Sequence, residues 1–343
     1  MNVLFLLKNT GMHERLGIMI LSAVLKKNNH NAKLIITENL SIDDLIAKVE
    51  EYNPGIIAYS IMTGEHGYSI KLNRMLKDHY EFYSVFGGPH PTFTPEMIEK
   101  DGVDSICIGE GDISFLKVVN ALEVGEGFYD TPNFWFKKKD GTITKNPIGE
   151  LIDDLDTIPF PDREIMYEAE PTLAKSEKKI FMAMRGCPYK CTYCFNHTYN
   201  KMTKGKGMVT RFRTVENILT EIKHVEERYL LESVWIDDDT FLVKPRGWLE
   251  EFAERFKKEI GLPLTCNIRG ELMNDKNAKL LKEIGVNFVW MGIECGDEEI
   301  ANKLLKRSIK NNTLLEAARI LRENKINFFT QNLVGLPGLP PIF

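Results

Sequence analysis

The amino-acid sequence predicts an α/β protein in which a doubly wound, flavodoxin- or Rossmann-like parallel sheet precedes a partial barrel of parallel strands. Short apolar segments alternate with amphipathic, helix-forming segments in two series, over residues 1–124 and 179–343. The apolar segments are nearly continuous, as in parallel strands that are covered on both faces. A chain of 343 residues is also long enough for two domains, each with its own core.

The first series contains five predicted strands separated by helical segments. The strands cover residues 3–7, 32–36, 55–60, 83–86 and 104–108. Ser41 precedes the second helix and can cap its free amide groups. Ligands of such sheets bind outside the carboxyl ends of the strands. The candidate binding loops are therefore residues 9–17, 60–64, 87–92 and 109–112.

The alternation stops over residues 125–178, which we interpret as a connector. Asp140-Gly141 lies between two short strand-like segments and predicts a hairpin turn. Prolines follow at positions 147, 159 and 161. The second series then begins. Its five predicted strands cover residues 179–184, 233–236, 264–268, 288–293 and 328–334, which is consistent with part of a parallel barrel.

Composition limits the classes of partner and compartment. The formal net charge of -5 and an isoelectric point near 5.9 give no reason to expect nucleic acid or an anionic membrane surface. No stretch of the sequence is long and apolar enough to span a bilayer. Three of the six cysteines lie within eight residues, unlike the dispersed framework of a secreted disulfide protein. We therefore expect a reducing compartment, the cytoplasm.

The strongest chemical signal is C-x3-C-x2-C, formed by Cys187, Cys191 and Cys194 directly after the first strand of the second series. Three thiolates on one short loop can ligate three irons of a [4Fe-4S] cluster and leave the fourth iron open. Gly186 suits a tight loop around a compact object. The alternative is a structural zinc ion, for which His197 would complete a Cys3His site.

Residues 185–194, Arg-Gly-Cys-Pro-Tyr-Lys-Cys-Thr-Tyr-Cys, resemble the cluster loop of the radical S-adenosylmethionine (SAM) enzymes. The resemblance implies that the open iron binds the amino and carboxylate groups of SAM. It further implies that an electron from the cluster cleaves a C–S bond to give a 5′-deoxyadenosyl radical, with a flavodoxin- or ferredoxin-type protein as electron donor. Tyr193 would then pack near the adenine, although ordinary barrel packing also explains a tyrosine there.

Other strand ends resemble the SAM-binding positions of this family. Asp237 and Asp238 would lie near the SAM amino group or the substrate, and the alternative is a metal-binding or solvated acidic turn. Arg269 would anchor the SAM carboxylate, and the alternative is a surface ion pair. Gly292 would permit close backbone approach, and Glu294 would accept hydrogen bonds from the ribose hydroxyls.

Residues 332–338, Asn-Leu-Val-Gly-Leu-Pro-Gly, resemble the fifth-strand motif of the family's (β/α)6 barrel. The sequence stops at Phe343, before a sixth strand. The resemblance therefore implies a partial (β/α)6 radical SAM barrel that is truncated after its fifth strand, or one that a partner or a second copy completes.

The first domain resembles that of the subgroup with an N-terminal cobalamin-binding domain, although a flavin or nucleotide domain remains the alternative on fold alone. The resemblance rests on Gly87-Gly88-Pro89-His90-Pro91-Thr92 and Gly109-Glu110-Gly111-Asp112. It also rests on the loop containing Ser60 and Met62, which would meet the nucleotide tail. Some cobalamin proteins carry D-x-H-x-x-G after the first strand. Here His13 lacks the Asp and Gly17 is one residue late, so His13 is a candidate cobalt ligand or an ordinary loop residue.

Together these resemblances imply a cobalamin-dependent radical SAM enzyme, most simply a methyltransferase. It would move a methyl group from methylcobalamin to an unactivated carbon of a small-molecule substrate through the 5′-deoxyadenosyl radical. The alternatives are a cyclisation or rearrangement enzyme and a non-catalytic, cobalamin- or redox-responsive protein. A basic stretch from Lys201 to Arg213 is either a solvated loop or a contact for an acidic substrate.

Overall fold

A computed structural model describes residues 1–338 and divides the chain into two compact units. The first unit comprises Met1–Leu151 and Thr157–Lys175, and the second comprises Ile152–Asp156 and Ser176–Phe343. The segment 339–343, on which the predicted end of the barrel depends, lies outside the described residues. Within residues 1–338, no helix is long and apolar enough to cross a membrane.

The first unit is built on a seven-stranded sheet, and the five strands predicted for it are confirmed. The strands are β1 (Asn2–Leu7), β2 (Asn31–Ile36), β3 (Ile56–Ser60), β4 (Tyr83–Gly87), β5 (Ser105–Cys107), β6 (Phe134–Lys137) and β7 (Ile143–Lys145). Their order is β2-β1-β3-β4-β5-β6-β7, and β1 to β5 are parallel. The order reverses between β1 and β3, the position where flavodoxin-like sheets bind ligands.

Seven helices belong to the first unit. They are α1 (Leu16–Lys27), α2 (Ile42–Tyr52), α3 (His66–Lys77), α4 (Pro89–Phe93), α5 (Asp112–Val124), α6 (Arg163–Ala169) and α7 (Pro171–Ala174). Ser41 caps α2 as predicted, because its hydroxyl accepts a hydrogen bond from the amide of Asp44 at 3.1 Å. The side chains of Val3 to Leu7 are at most 3% exposed, so β1 runs through the core.

The hairpin of the predicted connector belongs to the first sheet. Asp140-Gly141 forms the turn between β6 and β7, with Gly141 at φ +84°. β6 pairs with β5 in antiparallel orientation and covers that edge of the parallel strands. Residues 125–151 of the predicted connector therefore belong to the first unit. They join its sheet through edge pairing, which hydrophobic periodicity does not encode.

The second unit contains a five-stranded parallel sheet and one antiparallel strand pair. The strands are β8 (Lys178–Phe181), β9 (Met184–Arg185), β10 (Arg211–Phe212), β11 (Ser233–Ile236), β12 (Leu264–Arg269), β13 (Val286–Glu294) and β14 (Asn327–Asn332). The sheet order is β14-β13-β12-β11-β8, so each parallel strand pairs with the next in sequence, as in a section of a barrel. β9 pairs with β10 instead.

Six helices complete the second unit. They are α8 (Phe195–Met202), α9 (Val215–Glu226), α10 (Trp248–Glu259), α11 (Asp275–Ile284), α12 (Glu298–Lys303) and α13 (Asn311–Glu323). The segment predicted as one strand over residues 179–184 is divided into β8 and β9. The reason is that the amides of Ala183 and Met184 donate to the carboxylate of Asp238 instead of to a neighbouring strand.

Candidate functional site

A pocket of about 370 Å³ opens at the carboxyl ends of the parallel strands in the second unit. Polar, aromatic and thiol side chains share its wall. Its lining residues are Cys187, Tyr189, Cys191, Tyr193, Cys194, Asn196, Trp235, Asp237, Asp239, Asn267, Ile268, Arg269, Trp290, Gly292, Glu294, Arg307 and Gln331. Parallel α/β sheets place ligand sites at this end of their strands.

The three predicted cysteines lie together on the loop between β9 and α8. Gly186 begins the loop at φ +85°, and a Cβ atom there would lie 2.0 Å from the carbonyl oxygen of Val209, so no other residue fits. The amide side chain of Asn200 donates to the carbonyl oxygen of Cys187 at 2.8 Å. Farther along, the amide of Thr192 donates to the carbonyl oxygen of Leu305 at 3.1 Å. The loop is therefore fixed at both ends.

The three thiols of the cysteine loop are buried or half-buried. Burial raises the pKa of two of them. Burial raises the pKa of Cys187 to about 11. Burial also raises the pKa of Cys194, although hydrogen bonds from Asn196 act in the opposite direction. A buried thiolate needs a compensating positive charge. Cys187 and Cys194 are therefore favoured as neutral thiols until metal binding displaces their protons.

Arg269, at the end of β12, supplies positive charge beside the cysteine loop. Its Nη1 donates to Sγ of Cys191 at 3.2 Å. The carbon of the guanidinium group lies 3.7 Å from the centre of the Tyr189 ring, so the two groups are in cation–π contact. Glu271 accepts from Nε of Arg269 at 2.5 Å. These contacts hold the guanidinium group against the cysteine loop.

The three aspartates after β11, Asp237 to Asp239, have two different roles. Asp237 and Asp239 line the pocket, where Asn267 donates to Asp237 at 2.9 Å and Asn196 donates to Asp239 at 2.8 Å. Burial against the pocket wall raises the pKa of Asp239, and the neighbouring carboxylates raise it further.

Asp238 points away from the pocket lining and makes structural contacts. Its Oδ1 accepts from the amides of Ala183 and Met184 at 2.8 and 2.9 Å, and its Oδ2 accepts from Nζ of Lys244 at 2.7 Å. Both charged side chains are fully buried. The structure therefore does not place Asp238 among the groups that can contact SAM, unlike the sequence prediction, because alternate residues of an extended segment point to opposite sides.

A β-bulge directs Glu294 into the pocket. The register between β13 and β14 shifts between Gly292 and Glu294, and Glu294 has φ +68°. A Cβ atom on Gly292 would lie 2.5 Å from Oε1 of Glu294, so the glycine makes room for this carboxylate. Burial raises the pKa of Glu294, and the positive charge of Arg307 partly offsets the rise.

Arg307 connects the residues on this side of the pocket. Its Nη1 donates to the hydroxyl of Tyr193 at 2.7 Å and lies 3.3 Å from Oε1 of Glu294. Its Nη2 donates to the carbonyl oxygen of Gly292 at 2.7 Å. Tyr193, Gly292 and Glu294, which the sequence analysis selected separately, therefore belong to one network. Arg307 itself follows α12 and carries no motif that sequence reasoning could have used.

In the first unit, the predicted glycine-rich loops meet at the carboxyl ends of β3, β4 and β5. The amide of Ile61, next to Ser60, donates to the carbonyl oxygen of Gly87 at 2.9 Å. Gly88 has φ +96°, and a Cβ atom there would lie 2.9 Å from the carbonyl oxygen of Ile61. The hydroxyl of Thr92 donates to the carbonyl oxygen of Gly88 at 2.8 Å.

Two further contacts complete this group of loops. The Thr92 hydroxyl also accepts from the amide of Gly109, at 3.0 Å, which joins the loops after β4 and β5. Gly109 has φ +80°, and a Cβ atom on Gly111 would lie 3.3 Å from Sγ of Cys107. Close packing therefore explains Gly88 and Gly111, and a positive φ explains Gly109. The loops present backbone groups at one end of the sheet.

His90 is buried within these loops, whereas Met62 is exposed. The ring of His90 stacks on the ring of His66 with centres 4.0 Å apart, and its Nδ1 lies 3.2 Å from the hydroxyl of Thr63. Burial lowers the pKa of His90, and His66 lowers it further. Met62 is 49% exposed, and its sulfur lies 3.4 Å from Nη1 of Arg15.

The loop after β1 carries His13, the candidate cobalt ligand. His13 is exposed, and its amide donates to the carbonyl oxygen of Thr10 at 3.2 Å. The adjacent Glu14 is buried and forms an ion pair with Arg163 at 2.6 Å, and Tyr167 donates to the same carboxylate oxygen at 2.5 Å. The loop is thus anchored by Glu14. Ligation of cobalt by His13 stays a prediction.

Comparison with known proteins decides the family. The sequence model of the Radical SAM superfamily matches residues 182–341, and that of the B12 binding domain matches residues 4–119. The first match contains the whole cysteine loop, and the second contains the loops after β1, β3, β4 and β5. The chain is a radical SAM protein with a B12-binding domain.

Relatives of this radical SAM protein share both parts. An uncharacterised methyltransferase of Pyrococcus horikoshii is 24% identical over 329 residues, which cover 94% of this chain and 69% of the relative. The cobalamin-dependent SAM radical enzyme OxsB, solved with aqua-cobalamin and SAM bound, matches with a TM-score of 0.80 and 18% identity over 97% of this chain. The radical SAM methyltransferase TsrM of Kitasatospora setae matches with a TM-score of 0.79 and 15% identity over 98% of this chain. The chain spans 49% of the length of OxsB and 68% of that of TsrM.

The residues present fit the three cofactors that this family implies, a [4Fe-4S] cluster, SAM and cobalamin. The three thiols line one pocket, which also contains two buried donors, Nε1 of Trp290 and Nε of Arg307, without an acceptor among the described residues. Such donors suit a polar ligand. In the first unit, glycine-rich loops surround the strand ends beside the β1–β3 reversal, where a large planar ligand can contact backbone.

The zinc alternative fits this radical SAM protein less well. His197, the proposed fourth ligand, lies on α8 near Lys190, Lys201 and Lys306. Over residues 1–338, no three His, Cys, Asp or Glu side chains are close enough to hold a single metal ion. One zinc ion needs all its ligands within about 2.3 Å, whereas each thiolate of a cluster binds a different iron.

Proposed function

We propose that this chain is a cobalamin-dependent radical SAM methyltransferase that modifies an unactivated carbon of a small molecule. The observation that carries the proposal is that Cys187, Cys191 and Cys194 line the same pocket as Glu294, in a chain that also has a B12-binding domain. Methyltransferases among the relatives support the reaction type.

The roles of the residues follow from their contacts. Cys187, Cys191 and Cys194 would hold the cluster, and Asp237 and Glu294 would accept hydrogen bonds from SAM. Arg307 orients Glu294 and Tyr193 through Nη1, which donates to both side chains. When bound, the cluster and SAM supply a 5′-deoxyadenosyl radical, and cobalamin supplies the methyl group. The loops with Ser60, Met62, Gly87, Gly88, His90, Gly109 and Gly111 would hold cobalamin.

The proposal includes the partners and the compartment. The chain would receive electrons from a flavodoxin- or ferredoxin-type protein and would not act on nucleic acid. All six cysteines are free, which supports a reducing compartment, and we infer the cytoplasm.

The experiment uses the full chain, purified without oxygen and reconstituted with iron, sulfide and hydroxocobalamin. It is incubated with a strong reductant and SAM that carries a deuterated methyl group. We expect 5′-deoxyadenosine, together with deuterated methyl groups on cobalamin, detected by mass spectrometry. Cys194→Ala should abolish the 5′-deoxyadenosine, whereas Cys266→Ala, which changes a buried cysteine outside the loop, should retain it.

Two outcomes would contradict the proposal. Deoxyadenosine without any label on cobalamin would favour a cyclisation or rearrangement enzyme. Bound cofactors with no cleavage of SAM, even under strong reductant, would favour a non-catalytic, cobalamin- or redox-responsive protein.

A further inference from the structure

The basic stretch that follows the cysteines separates into structural and exposed residues. Arg211 is buried, and its Nη1 donates to the carbonyl oxygen of Ile152 at 3.1 Å. Arg213 is mostly buried and forms an ion pair with Glu221. Lys201 and Lys204, in contrast, are exposed. Arg211 and Arg213 therefore stabilise the fold. The exposed lysines need a separate explanation.

Lys201 lies on a basic surface around the cysteine loop, which we define as Lys190, His197, Lys201 and Lys306. Lys190 lies between the first two cysteines in sequence, and His197 and Lys201 are four residues apart on α8, so they share a helix face. Lys201, Lys306 and Lys190 all lie close enough to His197 for their charges to act on its ring.

Hydrogen bonds fix this arrangement. The amide and hydroxyl of Thr192, within the cysteine loop, donate to the carbonyl oxygens of Leu305 and Leu304 at 3.1 and 2.6 Å. Lys306 follows directly, so its backbone is tied to the loop that carries the cysteines. These hydrogen bonds therefore hold the backbone that carries Lys306 beside the backbone of the cysteine loop.

The lysines of the basic surface lack acidic partners. Lys190, Lys201 and Lys306 are exposed, and in the part of the chain that the structure describes none of them forms an ion pair. Lys303, one turn earlier on α12, is paired with Glu299 at 2.8 Å. Apolar side chains adjoin the charges, since Phe195 is 58% exposed and Leu304 is 41% exposed. An apolar patch among unpaired charges is typical of a docking surface.

We infer that the basic surface docks an acidic one-electron carrier protein that reduces the cluster. The inference rests on the proposed function, because the docking partner is chosen by the redox centre that the cysteine loop would hold. The chain as a whole has a formal net charge of -5, which repels an acidic carrier. The basic surface has the opposite charge and attracts the carrier. Complexes that transfer electrons are small and transient, and opposite charge raises their association rates.

The test compares cluster reduction by two reductants in stopped-flow absorbance measurements on the reconstituted full chain. One is reduced flavodoxin, an acidic protein, and the other is photoreduced 5-deazariboflavin, a small neutral reductant. The variant is Lys201→Glu/Lys306→Glu, and Lys190 is left intact because it lies within the cysteine loop. The matched control, Lys257→Glu/Lys279→Glu, makes the same charge change at exposed positions on α10 and α11.

With flavodoxin, the second-order rate constant for the unaltered chain should fall as salt rises from 50 to 500 mM. The rate constant of Lys201→Glu/Lys306→Glu should be about tenfold lower at low salt and nearly independent of salt, while the control stays within about twofold of the unaltered chain. Deazariboflavin should reduce all three proteins equally, and their iron contents should agree.

The docking proposal would be overturned if the rate constant with flavodoxin fell equally in the variant and the control. It would also be overturned if the rate constant of the unaltered chain did not depend on salt. Reduction by deazariboflavin but not by flavodoxin would overturn it as well and would leave the proposed function intact. Failure of the unaltered chain to assemble a reducible cluster would overturn both proposals together.

Discussion

Arg269 donates a hydrogen bond to the thiol of Cys191, with 3.2 Å between Nη1 and Sγ. The guanidinium group is held in this position by the Tyr189 ring and by the Glu271 carboxylate. A cationic donor at a cluster sulfur stabilises the more negative, reduced state and raises the reduction potential. In this structure Arg269 is therefore positioned to adjust the redox potential, whereas the sequence suggested an anchor for the SAM carboxylate.

Replacing Arg269 should lower the cluster's reduction potential. In Arg269→Gln the midpoint potential, measured by electron paramagnetic resonance during a redox titration, should become more negative. SAM cleavage at a fixed reductant potential should fall by about 10- to 100-fold, the usual effect of losing a residue that supports a metal ligand. Glu271→Gln, which keeps the guanidinium group, should have a smaller effect. An unchanged potential with weaker SAM binding would instead support the predicted role of Arg269 as an anchor for the SAM carboxylate.

Asp238 should be required for stability and not for contact with SAM. Asp238→Ala removes the acceptor for the Ala183 and Met184 amides and leaves the buried Lys244 unpaired, which should cost about 3–5 kcal/mol in the free energy of unfolding. Urea unfolding followed by tryptophan fluorescence measures the change. Asp237→Ala, at an exposed position, should cost less than about 0.5 kcal/mol. Equal stability of the two variants would contradict this assignment.

The cysteine loop should depend on the glycine that begins it. In Gly186→Ala the new methyl group would lie 2.0 Å from the Val209 carbonyl oxygen at φ +85°, so the loop must move and iron content after reconstitution should fall severalfold. The control is Gly205→Ala, at φ +78° with nothing within 4 Å of the new atom. Both variants strain the backbone, but only the first creates a clash. Full iron content in both would show that the loop tolerates displacement.

The buried His90 should make stability depend on pH. In the native state, burial lowers the pKa of His90 below the ordinary value of 6.5. In the unfolded chain the pKa of this histidine stays near 6.5. The unfolded state therefore binds more protons below about pH 6.5, and the free energy of unfolding should decrease there by at most about 1.4 kcal/mol per pH unit. His90→Gln should remove this contribution, while His79→Gln, at an exposed position, should not. Urea unfolding between pH 7.5 and 5.5 measures the free energy of unfolding of the unaltered chain and of both variants. The same pH dependence in all three proteins would contradict this role of His90.

The strands and the cysteine loop could be predicted because their signals are local. Parallel strands buried on both faces form apolar runs that stop where the strands stop, and β11 covers the residues that were predicted for it. The cysteines are three donors within eight residues, so no long-range information is needed to bring them together.

The remaining features depend on contacts between distant segments. β9 and β10 pair across 25 residues, and β6 adds to the edge of a parallel sheet in antiparallel orientation. Arg307 reaches the pocket from beyond α12 with no motif around it. In the acidic run, the alternation of side chains along an extended segment could have separated Asp238 from its neighbours. The alternation does not reveal that Lys244 pairs with Asp238 or that two backbone amides donate to its carboxylate.

The central claim is that Cys187, Cys191 and Cys194 hold a four-iron cluster whose open iron binds SAM. The most direct measurement is the iron and sulfide content of the reconstituted chain, combined with electron paramagnetic resonance of the reduced protein before and after SAM is added. About four iron and four sulfide per chain, with a spectrum that changes on addition of SAM and disappears in Cys187→Ala, is the predicted result. Zinc without sulfide, or a cluster whose spectrum does not respond to SAM, would contradict the claim.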